Sequence, residues 1–324
     1  MARAIRIHEH GGPEVLRFEE VAVAAPGPGE AAIRQTAVGV NFIDTYQRTG
    51  LYPVDLPSGI GLEAAGVVES VGDDVSEVAP GQRVVYAGGP PGAYAEARVM
   101  PANKLVPLPD AISDDQAAAM MLKGMTACYL VRRTYRVTAG ESVLIHAAAG
   151  GTGLLLSQWA KHLGATVIGT VGSDDKAELA RANGCDHTIV YTREDFPSRV
   201  RELTNGEGVA VVYDGVGRAT WEGSLDCLRP LGMMVTYGNA SGPVPPFQTL
   251  ALSQKGSLFL TRPTLMSYTA RRVDLLAIAN DLFEVVDKGA VKIAIHQRHP
   301  LSEAANAHRD LEARRTTGAT ILEP

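Results

Sequence analysis

Residues 140–164, GESVLIHAAAGGTGLLLSQWAKHLG, decide the fold of this chain. An apolar run of strand length, residues 143–145, passes through the turn at residues 148–153 into an amphipathic helical pattern. A strand, a glycine turn and a helix N-terminus in this order expose backbone N–H groups to an anion, and glycine lets a pyrophosphate approach closely. Glycine triplets also occur in ordinary loops, but the strand before and the helix after this one predict dinucleotide binding. Ala148 stands where the usual G-x-G-x-x-G pattern has its first glycine.

Length and hydropathy indicate a protein of about two domains. The chain has 324 residues, of which 45% are hydrophobic, and a domain takes roughly 150 residues. No apolar run approaches the roughly 20 residues that a membrane span needs. The N-terminus, MARAIRIHEH, alternates like a strand and lacks the apolar region of a signal peptide. A cytoplasmic protein without membrane segments is therefore expected.

Charge and cysteine content exclude several classes. The net charge is −6 and no basic run stands out, which argues against binding of a nucleic-acid backbone. The three cysteines, Cys128, Cys185 and Cys227, are dispersed and form no C-x-x-C pair. This pattern argues against a disulfide framework and against a cysteine-rich zinc lobe. We expect small buried core residues at these positions.

The N-terminal part, residues 1–124, is predicted to be a β domain. Short alternating or apolar runs such as RAIRIH, VLRFEEV and AAIRQTAVGV are separated by the turns GGP, APGPGE and LPSG. This rhythm is typical of an antiparallel, partly barrel-like domain. Residues 80–100, PGQRVVYAGGPPGAYAEARVM, continue the pattern and predict a hairpin.

From residue 125 the rhythm changes to alternating strands and helices. The strand-length runs are SVLIHA, TVIGTV, HTIV, VAVVYD, MMVTYG and SLFLT, and four of the five segments between them have helical character. Such alternation over residues 125–264 predicts a doubly wound parallel sheet in an α/β fold. Residues 265–324 add a helix, a strand-like VKIAIHQRHPL, a short helix near 304–312 and a last strand near 319–322. Because this tail cannot easily extend the nucleotide sheet, we assign it to the first domain.

The end of the second strand, TVIGTV, bears on the choice of coenzyme. NAD sites usually place an acid there to bond the ribose 2′-hydroxyl, but residues 171–172 are Val-Gly. A neutral turn with Ser173 and Lys176 suits a 2′-phosphate. Asp174 and Asp175 would repel a phosphate if they pointed inward; alternatively, both cap a helix that starts at Lys176. The missing acid favours NADPH over NADH.

The chain resembles the quinone oxidoreductase/zeta-crystallin family of the medium-chain dehydrogenase/reductase superfamily. The glycine-turn residues fall at the spacing of that family's signature, from Gly140 to Lys161. Similarity extends to other segments: GVNFID (residues 39–44), GLYP (50–53), LKGMT (122–126), VYDGVG (212–217), TRP (261–263) and Arg314. The resemblance implies a GroES-like, mostly antiparallel catalytic domain built from residues 1–124 and 265–324. It also implies a central Rossmann domain at residues 125–264, with NADPH in the cleft between them.

The resemblance further implies an enzyme without zinc. Zinc alcohol dehydrogenases of the superfamily have a cysteine ligand where this chain has Asn41, and a Gly-His-Glu motif where it has Gly-Leu-Glu at residues 61–63. A catalytic zinc needs three protein ligands and an open position, and only Glu63 remains. The histidine pairs His8/His10 and His296/His299 lack partner ligands at useful spacing, so no metal site is expected. His146, beside the glycine turn, is interpreted as a packed strand residue.

Family positions supply candidate catalytic residues. Without a Lewis acid the acceptor must itself be electrophilic, which fits a quinone. Asn41 is predicted to hydrogen-bond a carbonyl oxygen or the nicotinamide ribose. Tyr46 and Tyr52 are predicted to offer a flat apolar face and a phenol for the developing oxyanion, or alternatively to pack the cleft wall.

Other family positions are carried over as coenzyme contacts. Met125 and Thr126 are expected to open the helix that enters the nucleotide domain, and Arg314 to reach the phosphates from the other domain. The remaining predicted coenzyme contacts are Gly150, Gly151, Thr152 and Gly153 at the pyrophosphate, Ser173, Lys176 and Tyr191 at the 2′-phosphate, and Val216, Gly238, Asn239 and Ser241 after the fourth and fifth strands, together with Asn41.

Three functions are compatible with this sequence. The first is NADPH-dependent reduction of quinones, and the second is reduction of enone or alkenal double bonds by the same hydride geometry. The third comes from a different class, a structural crystallin-like or RNA-binding protein; the acidic balance weakens its RNA-binding version. The resemblance also implies a homodimer, and the apolar last strand between Ser257 and Arg262 is an exposed edge that a second copy would cover.

Overall fold

A computed structural model describes residues 1–324, and their packing forms two compact units. Unit 1 comprises Met1–Met125, Thr269–Asp287 and Ile293–Pro324, and unit 2 comprises Thr126–Tyr268 and Lys288–Lys292. The sequence pattern puts the two main boundaries after residues 124 and 264, whereas packing puts them after residues 125 and 268. The short return of Lys288–Lys292 to unit 2 leaves no signal in the hydrophobic periodicity.

The chain forms sixteen strands and ten α-helices. The strands are β1 (Ala2–Ile7), β2 (Arg17–Val21), β3 (Glu30–Val40), β4 (Ser58–Gly59), β5 (Glu63–Val71), β6 (Arg83–Ala87), β7 (Ala97–Pro101), β8 (Val106–Pro107), β9 (Ser142–Ile145), β10 (Thr166–Val171), β11 (His187–Val190), β12 (Val209–Asp214), β13 (Leu228–Thr236), β14 (Phe259–Thr261), β15 (Ile295–Pro300) and β16 (Ala319–Glu323). The helices are α1 (Phe42–Arg48), α2 (Asp114–Tyr129), α3 (Gly151–His162), α4 (Asp174–Ala182), α5 (Phe196–Leu203), α6 (Trp221–Asp226), α7 (Leu250–Gln254), α8 (Leu265–Tyr268), α9 (Arg272–Asp287) and α10 (Ala304–Glu312).

Unit 1 is built on two sheets. A three-stranded sheet has the order β2-β1-β4, and a seven-stranded sheet has the order β15-β16-β3-β5-β6-β8 with β7 also paired to β3. The pairs of the larger sheet are antiparallel except for β15 with β16. Because β16 pairs with β3, the C-terminal tail contributes strands to the sheet of the N-terminal segment. Alternating apolar residues such as Ile33, Val84 and Leu322 fill one core.

The hairpin predicted for residues 80–100 is wrong. β6 pairs with β5 and β8, whereas β7 pairs with β3. The intervening segment includes Gly88, Gly89 and Gly92 with positive φ, and these turns carry the chain away from β6. Tyr94 of this segment is fully buried.

Unit 2 is a doubly wound α/β domain around one parallel sheet. The strand order is β11-β10-β9-β12-β13-β14, and every neighbouring pair is parallel. The direction of winding reverses between β9 and β12, and ligands of such sheets bind outside the carboxyl ends of the strands at this switch point. The residues that follow β9 and β12 are therefore the expected ligand-binding positions.

Met125 and Thr126 do not open a helix, contrary to the sequence-based expectation. Both lie within α2, which runs without a break from Asp114 to Tyr129. The helix continues through Gly124. A Cβ at this position would lie 2.6 Å from Cδ1 of Leu282, so the close packing requires glycine. Gly124 is thus explained by the close approach of α9, and it does not mark a helix boundary.

No helix in the chain has both the length and the apolar character that a membrane crossing demands.

The contact at Gly124 predicts that alanine destabilises the protein at this helical position, the opposite of its usual effect. Alanine normally stabilises a helix interior by about 1 kcal/mol relative to glycine. Here we expect Gly124→Ala to lower the free energy of unfolding by about 1–2 kcal/mol, because the methyl group overpacks against buried Leu282. Urea unfolding of the purified variant measures this change.

A second background distinguishes overpacking from other causes. In a Leu282→Ala protein the obstructing side chain is absent, so Gly124→Ala should become neutral or stabilising. Destabilisation of the same size in both backgrounds would show that Leu282 is not the obstacle.

Candidate active site

The glycine turn of unit 2 meets the requirements of a phosphate cradle. Gly150 is the N-cap of α3 in an extended conformation, and its N–H donates to the carbonyl of Ala147 at 2.9 Å. A Cβ at Gly153 would lie 2.3 Å from the same carbonyl oxygen, so only glycine allows the helix to press this closely on the turn. The first N–H groups of a helix have no acceptor within it, and α3 therefore presents them, with its positive dipole end, beside the switch point.

A buried hydrogen-bond network holds the loops around this cradle. Asp214, at the end of β12, accepts from the N–H groups of Val216 and Gly217 at 2.7 and 3.0 Å. The hydroxyl of Ser224 donates to Asp214 at 3.2 Å and lies 2.9 Å from Nε2 of His146. Burial lowers the pKa of His146, which keeps the imidazole neutral. His146 is a buried residue, as the sequence indicates, and its ring connects Thr170 of β10 with Ser224 of α6.

Loops after β12 and β13 also contact each other. The N–H and the hydroxyl of Ser241 donate to the carbonyl of Val216 at 2.8 and 2.9 Å. A Cβ at Gly238 would lie 2.3 Å from the carbonyl oxygen of Gly215, which explains the glycine. Four predicted coenzyme contacts, Val216, Gly238, Asn239 and Ser241, therefore lie in two touching loops at the carboxyl edge of the sheet.

The turn after β10 differs in one respect from the sequence interpretation. α4 begins at Asp174, two residues earlier than Lys176, and Ser173 is its N-cap, accepting from the N–H of Lys176. Asp174 and Asp175 are thus first-turn residues and do not cap the helix, because Ser173 precedes them in extended conformation. The phenol oxygen of Tyr191 lies 3.0 Å from the position that a Cβ of Gly172 would occupy. The predicted 2′-phosphate residues therefore share one surface of unit 2.

The predicted catalytic residues come together in unit 1. Asn41 is the N-cap of α1 and is buried. Tyr46 lies on the same helix, and its ring packs edge-on against Tyr52 with 5.2 Å between centroids. The N–H of Tyr52 donates to the carbonyl of Tyr46 at 3.0 Å, which fixes the loop that follows α1. Phe42 adds a third ring, 6.0 Å from Tyr46.

Glu63 is the centre of a buried polar cluster beside these residues. Its side chain is fully buried, and Oε1 accepts from the N–H of Leu122 at 2.6 Å. Oε2 accepts from Nδ2 of Asn41 at 2.7 Å and from Nζ of Lys123 at 3.3 Å. Both carboxylate oxygens are therefore committed to N–H donors, one of which carries a full positive charge.

This donor set does not fit a catalytic zinc. Asn41, Leu62 and Glu63 stand where the superfamily's zinc enzymes have their cysteine and their Gly-His-Glu motif. Asn41 points an amide N–H at Glu63, and Leu62 has no atom that could bind a metal. Zinc would have to displace the Lys123 ammonium from Glu63. No group of three or more His, Cys, Asp or Glu side chains in the chain has the arrangement of a metal site.

A second buried chain of hydrogen bonds extends from α1 towards α10. The phenol of Tyr94 donates to Oδ2 of Asp44 at 2.8 Å, and its oxygen lies 3.0 Å from Nε2 of His308. Arg48 bonds Nδ1 of His308 at 3.1 Å and pairs with Glu312. Because arginine only donates, Nδ1 accepts and Nε2 carries the hydrogen. Burial and the charge of Arg48 lower the pKa of His308 to about 3.

Asp44 is the titratable end of this chain. Burial raises the pKa of Asp44 to about 7, and the charge of Glu63 acts in the same direction. The hydrogen bonds from the Asn41 N–H and from Tyr94 and the charge of Lys123 lower this pKa, but burial outweighs them. Oδ1 of Asp44 is buried and has no hydrogen-bond partner. A proton on this oxygen removes a buried charge, which is why the acid form is favoured.

Neither motif spacing nor periodicity identified these polar clusters. Glu63 and Lys123 are sixty positions apart in sequence, and only the Gly-Leu-Glu and LKGMT segments hinted at them. Among the predicted residues, Met125 and Thr126 are buried in α2. Arg314 is exposed on the turn between α10 and β16, with φ 57°. The coenzyme contacts of these three residues stay predictions.

The raised pKa of Asp44 predicts a pH-dependent contribution to stability. An acid whose pKa is higher in the folded state stabilises the fold below its unfolded pKa, and that stability is lost as the pH rises through the folded value. The Asp44→Asn variant carries a neutral amide that mimics the protonated acid at every pH. We therefore expect the free energy of unfolding of the wild type, minus that of the variant, to fall by about 2–4 kcal/mol between pH 4 and pH 8.

Urea unfolding at intervals of half a pH unit measures this difference. Exposed Asp73 offers a matched control, and the corresponding difference for Asp73→Asn should stay near zero across the range. A difference for Asp44→Asn that does not vary with pH would contradict a protonated Asp44 in the fold.

Two known domain families match this chain, one in its N-terminal part and one in its central part. The alcohol dehydrogenase GroES-like domain family matches residues 27–110, and the zinc-binding dehydrogenase family matches residues 151–282. A quinone oxidoreductase of Pseudomonas aeruginosa is 54% identical over the full length of both chains. A 2-haloacrylate reductase of a Burkholderia species is 47% identical, over 100% of this chain and 99% of its own.

A solved structure gives the same result for the fold. The crystal structure of Escherichia coli quinone oxidoreductase complexed with NADPH superposes with a TM-score of 0.98 at 48% identity, covering 100% of both chains. The α/β architecture with a GroES-like and a nucleotide-binding domain is thereby confirmed. With full-length identity of this degree, the chain belongs to the quinone oxidoreductase family.

Proposed function

We propose that this protein is an enzyme that reduces quinones with NADPH and uses no metal ion. The observation that carries the proposal is the occupation of Glu63 by Lys123 and Asn41, at 3.3 and 2.7 Å. With no Lewis acid to polarise a carbonyl, the acceptor must already be electrophilic. A quinone meets this condition because hydride addition yields an aromatic hydroquinone anion with delocalised charge. The family membership of the chain supports the same activity.

Unit 2 supplies the coenzyme site in this proposal. NADPH, when bound, supplies the hydride. The N–H groups at the start of α3 bind the pyrophosphate, and the loops pinned by Asp214 and Ser241 orient the nicotinamide half. Ser173, Lys176 and Tyr191 bind the 2′-phosphate end. Preorganised loops reduce the entropy that binding has to overcome.

Unit 1 supplies the acceptor site. Asn41 donates its amide N–H to Glu63, so its Oδ1, which also accepts from the N–H of Asp44, is its side-chain acceptor for a ribose hydroxyl. Tyr46 and Tyr52 form an aromatic wall, with their rings packed edge to face. A phenol on this wall donates to the oxyanion that develops on the quinone.

Reduction of activated carbon–carbon double bonds is the second candidate. The 47% identity to a 2-haloacrylate reductase favours it specifically, since that relative is named for an alkene substrate. The same hydride geometry and the same oxyanion donor serve an enone. A purely structural or RNA-binding role has no comparable support, because the polar clusters and the glycine cradle of an enzyme are intact.

A substrate panel tests the proposal. We expect oxidation of NADPH with ortho-quinones, slower turnover with enones, and a preference for NADPH over NADH. Tyr46→Phe and Tyr52→Phe each remove one candidate donor, and the true donor should lower kcat by about tenfold to a hundredfold with little change in coenzyme KM.

Tyr135 provides the control, since it bonds Glu141 just before β9, away from the carboxyl ends of the unit 2 strands. Tyr135→Phe should keep full activity. Absence of NADPH oxidation with every quinone and every enone would refute the proposed function.

We also propose that the protein is a cytoplasmic homodimer. β14 is an edge strand of the unit 2 sheet, and its Phe259 is 56% exposed. Leu231, on the neighbouring strand β13, is also exposed. Pairing of β14 with its copy about a two-fold axis would cover this edge. All three cysteines are buried and none forms a disulfide, which agrees with a reducing compartment.

The dimer proposal predicts the effect of one substitution. Light scattering after gel filtration should give twice the 34.3 kDa mass of one chain for the wild type. Phe259→Asp should give the single-chain mass, because a charge then faces its copy across the axis. Val273→Asp alters a similarly exposed apolar residue in unit 1 and should stay dimeric. A wild type of single-chain mass would disprove the dimer.

A further inference from the structure

An ion pair lies at the predicted 2′-phosphate end of the coenzyme site. β10 and β11 are neighbouring parallel strands, so the segments that follow them meet at one edge of the sheet. The N–H of Tyr191 donates to the carbonyl of Val171 at 3.1 Å, and the hydroxyl of Thr192 donates to the carbonyl of Gly172 at 3.3 Å. The loop after β11 is therefore fixed against the turn between β10 and α4. Arg193 is the next residue of that loop.

Asp174 poses an electrostatic problem at this turn. It is the first residue of α4, where the helix dipole favours an anion. A carboxylate in this place competes with a 2′-phosphate for the same positive potential and repels it. Left alone, Asp174 would favour NADH.

Arg193 neutralises this carboxylate. Its Nη1 and Nη2 donate to the two oxygens of Asp174 at 2.6 and 2.5 Å, a bidentate pair. The hydrogen bond and charge of Arg193 lower the pKa of Asp174, which stays ionised as the counter-charge. Both side chains are more than half exposed, so the pair contributes little to stability and is easily rearranged.

We propose that Arg193 is a specificity-determining residue that makes NADPH the preferred coenzyme by masking Asp174 and lending its guanidinium to the 2′-phosphate. The proposal rests on the proposed function, since it requires a nicotinamide coenzyme in unit 2. A phosphate monoester carries about −1.5 to −2 charges at neutral pH and accepts bidentate bonds from arginine. It therefore draws Arg193 from Asp174 at least in part, whereas the 2′-hydroxyl of NADH offers no such acceptor.

The two members of the pair are predicted to act in opposite directions. Arg193→Ala removes a phosphate donor and unmasks Asp174, so the affinity for NADPH should fall by about tenfold or more. The affinity for NADH should change by less than about twofold, since its ribose carries no charge. Asp174→Ala removes the competitor and releases Arg193, so NADPH should bind a few-fold more tightly. In the double variant, NADPH affinity should recover part of the loss caused by Arg193→Ala.

Binding titrations of the full-length protein with NADPH and NADH, and with 2′,5′-ADP and 5′-AMP, test these effects. The second pair isolates the 2′-phosphate from the nicotinamide half. Measurements at low and high salt add a check, because screening should reduce the effect of both substitutions at this exposed site. Arg199, which pairs with Glu202 at a comparable exposure, provides the control, and Arg199→Ala should leave all affinities unchanged.

The outcomes separate this inference from the proposed function. Wild-type protein that binds neither coenzyme refutes the function and the inference together. Wild-type protein that prefers NADPH, with an Arg193→Ala variant that keeps the same preference, overturns the inference alone. Equal losses for NADPH and NADH in Arg193→Ala also overturn it, because they would show a general effect on the loop. Loss of the NADPH preference that Asp174→Ala partly restores supports it.

Discussion

One buried carboxylate, Glu63, sets the arrangement of unit 1 around the proposed acceptor site. A buried charge with a missing partner costs about 3–5 kcal/mol, so its neighbours must supply donors. The N–H of Leu122, the amide of Asn41 and the ammonium of Lys123 do so, and they join β5 to the start of α1 and to α2. The placement of Asn41, and with it the helix that carries Tyr46, follows from this requirement.

Neutralisation by lysine changes the chemistry that the scaffold can perform. A zinc ion would satisfy Glu63 and polarise a substrate at once, whereas an ammonium satisfies the charge and leaves substrate activation to hydrogen bonds. The acceptor must then be electrophilic by itself, and a quinone meets this condition. Unit 2 contributes differently: its buried Asp214 and His146 network holds loops still, so that the coenzyme meets a preformed surface.

Local sequence patterns predicted much of the fold, and non-local contacts account for the errors. TVIGTV became β10 at the predicted residues. The tail was assigned only to the first domain, and its last strand, β16, pairs with β3. The hairpin at residues 80–100 was wrong because β7 pairs with β3, far away in sequence. The helix start at Met125 was wrong because Gly124 accommodates Leu282. The Glu63–Lys123 and Asp174–Arg193 pairs were missed for the same reason, since neither has a spacing that a motif could encode.

Metal analysis combined with turnover tests the central claim most directly. The purified protein is assayed for bound zinc and for NADPH-dependent quinone reduction, before and after exhaustive dialysis against a strong chelator. A Glu63 neutralised by Lys123 predicts substoichiometric zinc and the same turnover number in both samples. One tightly held zinc per chain, whose removal abolishes turnover and whose return restores it, would contradict the account.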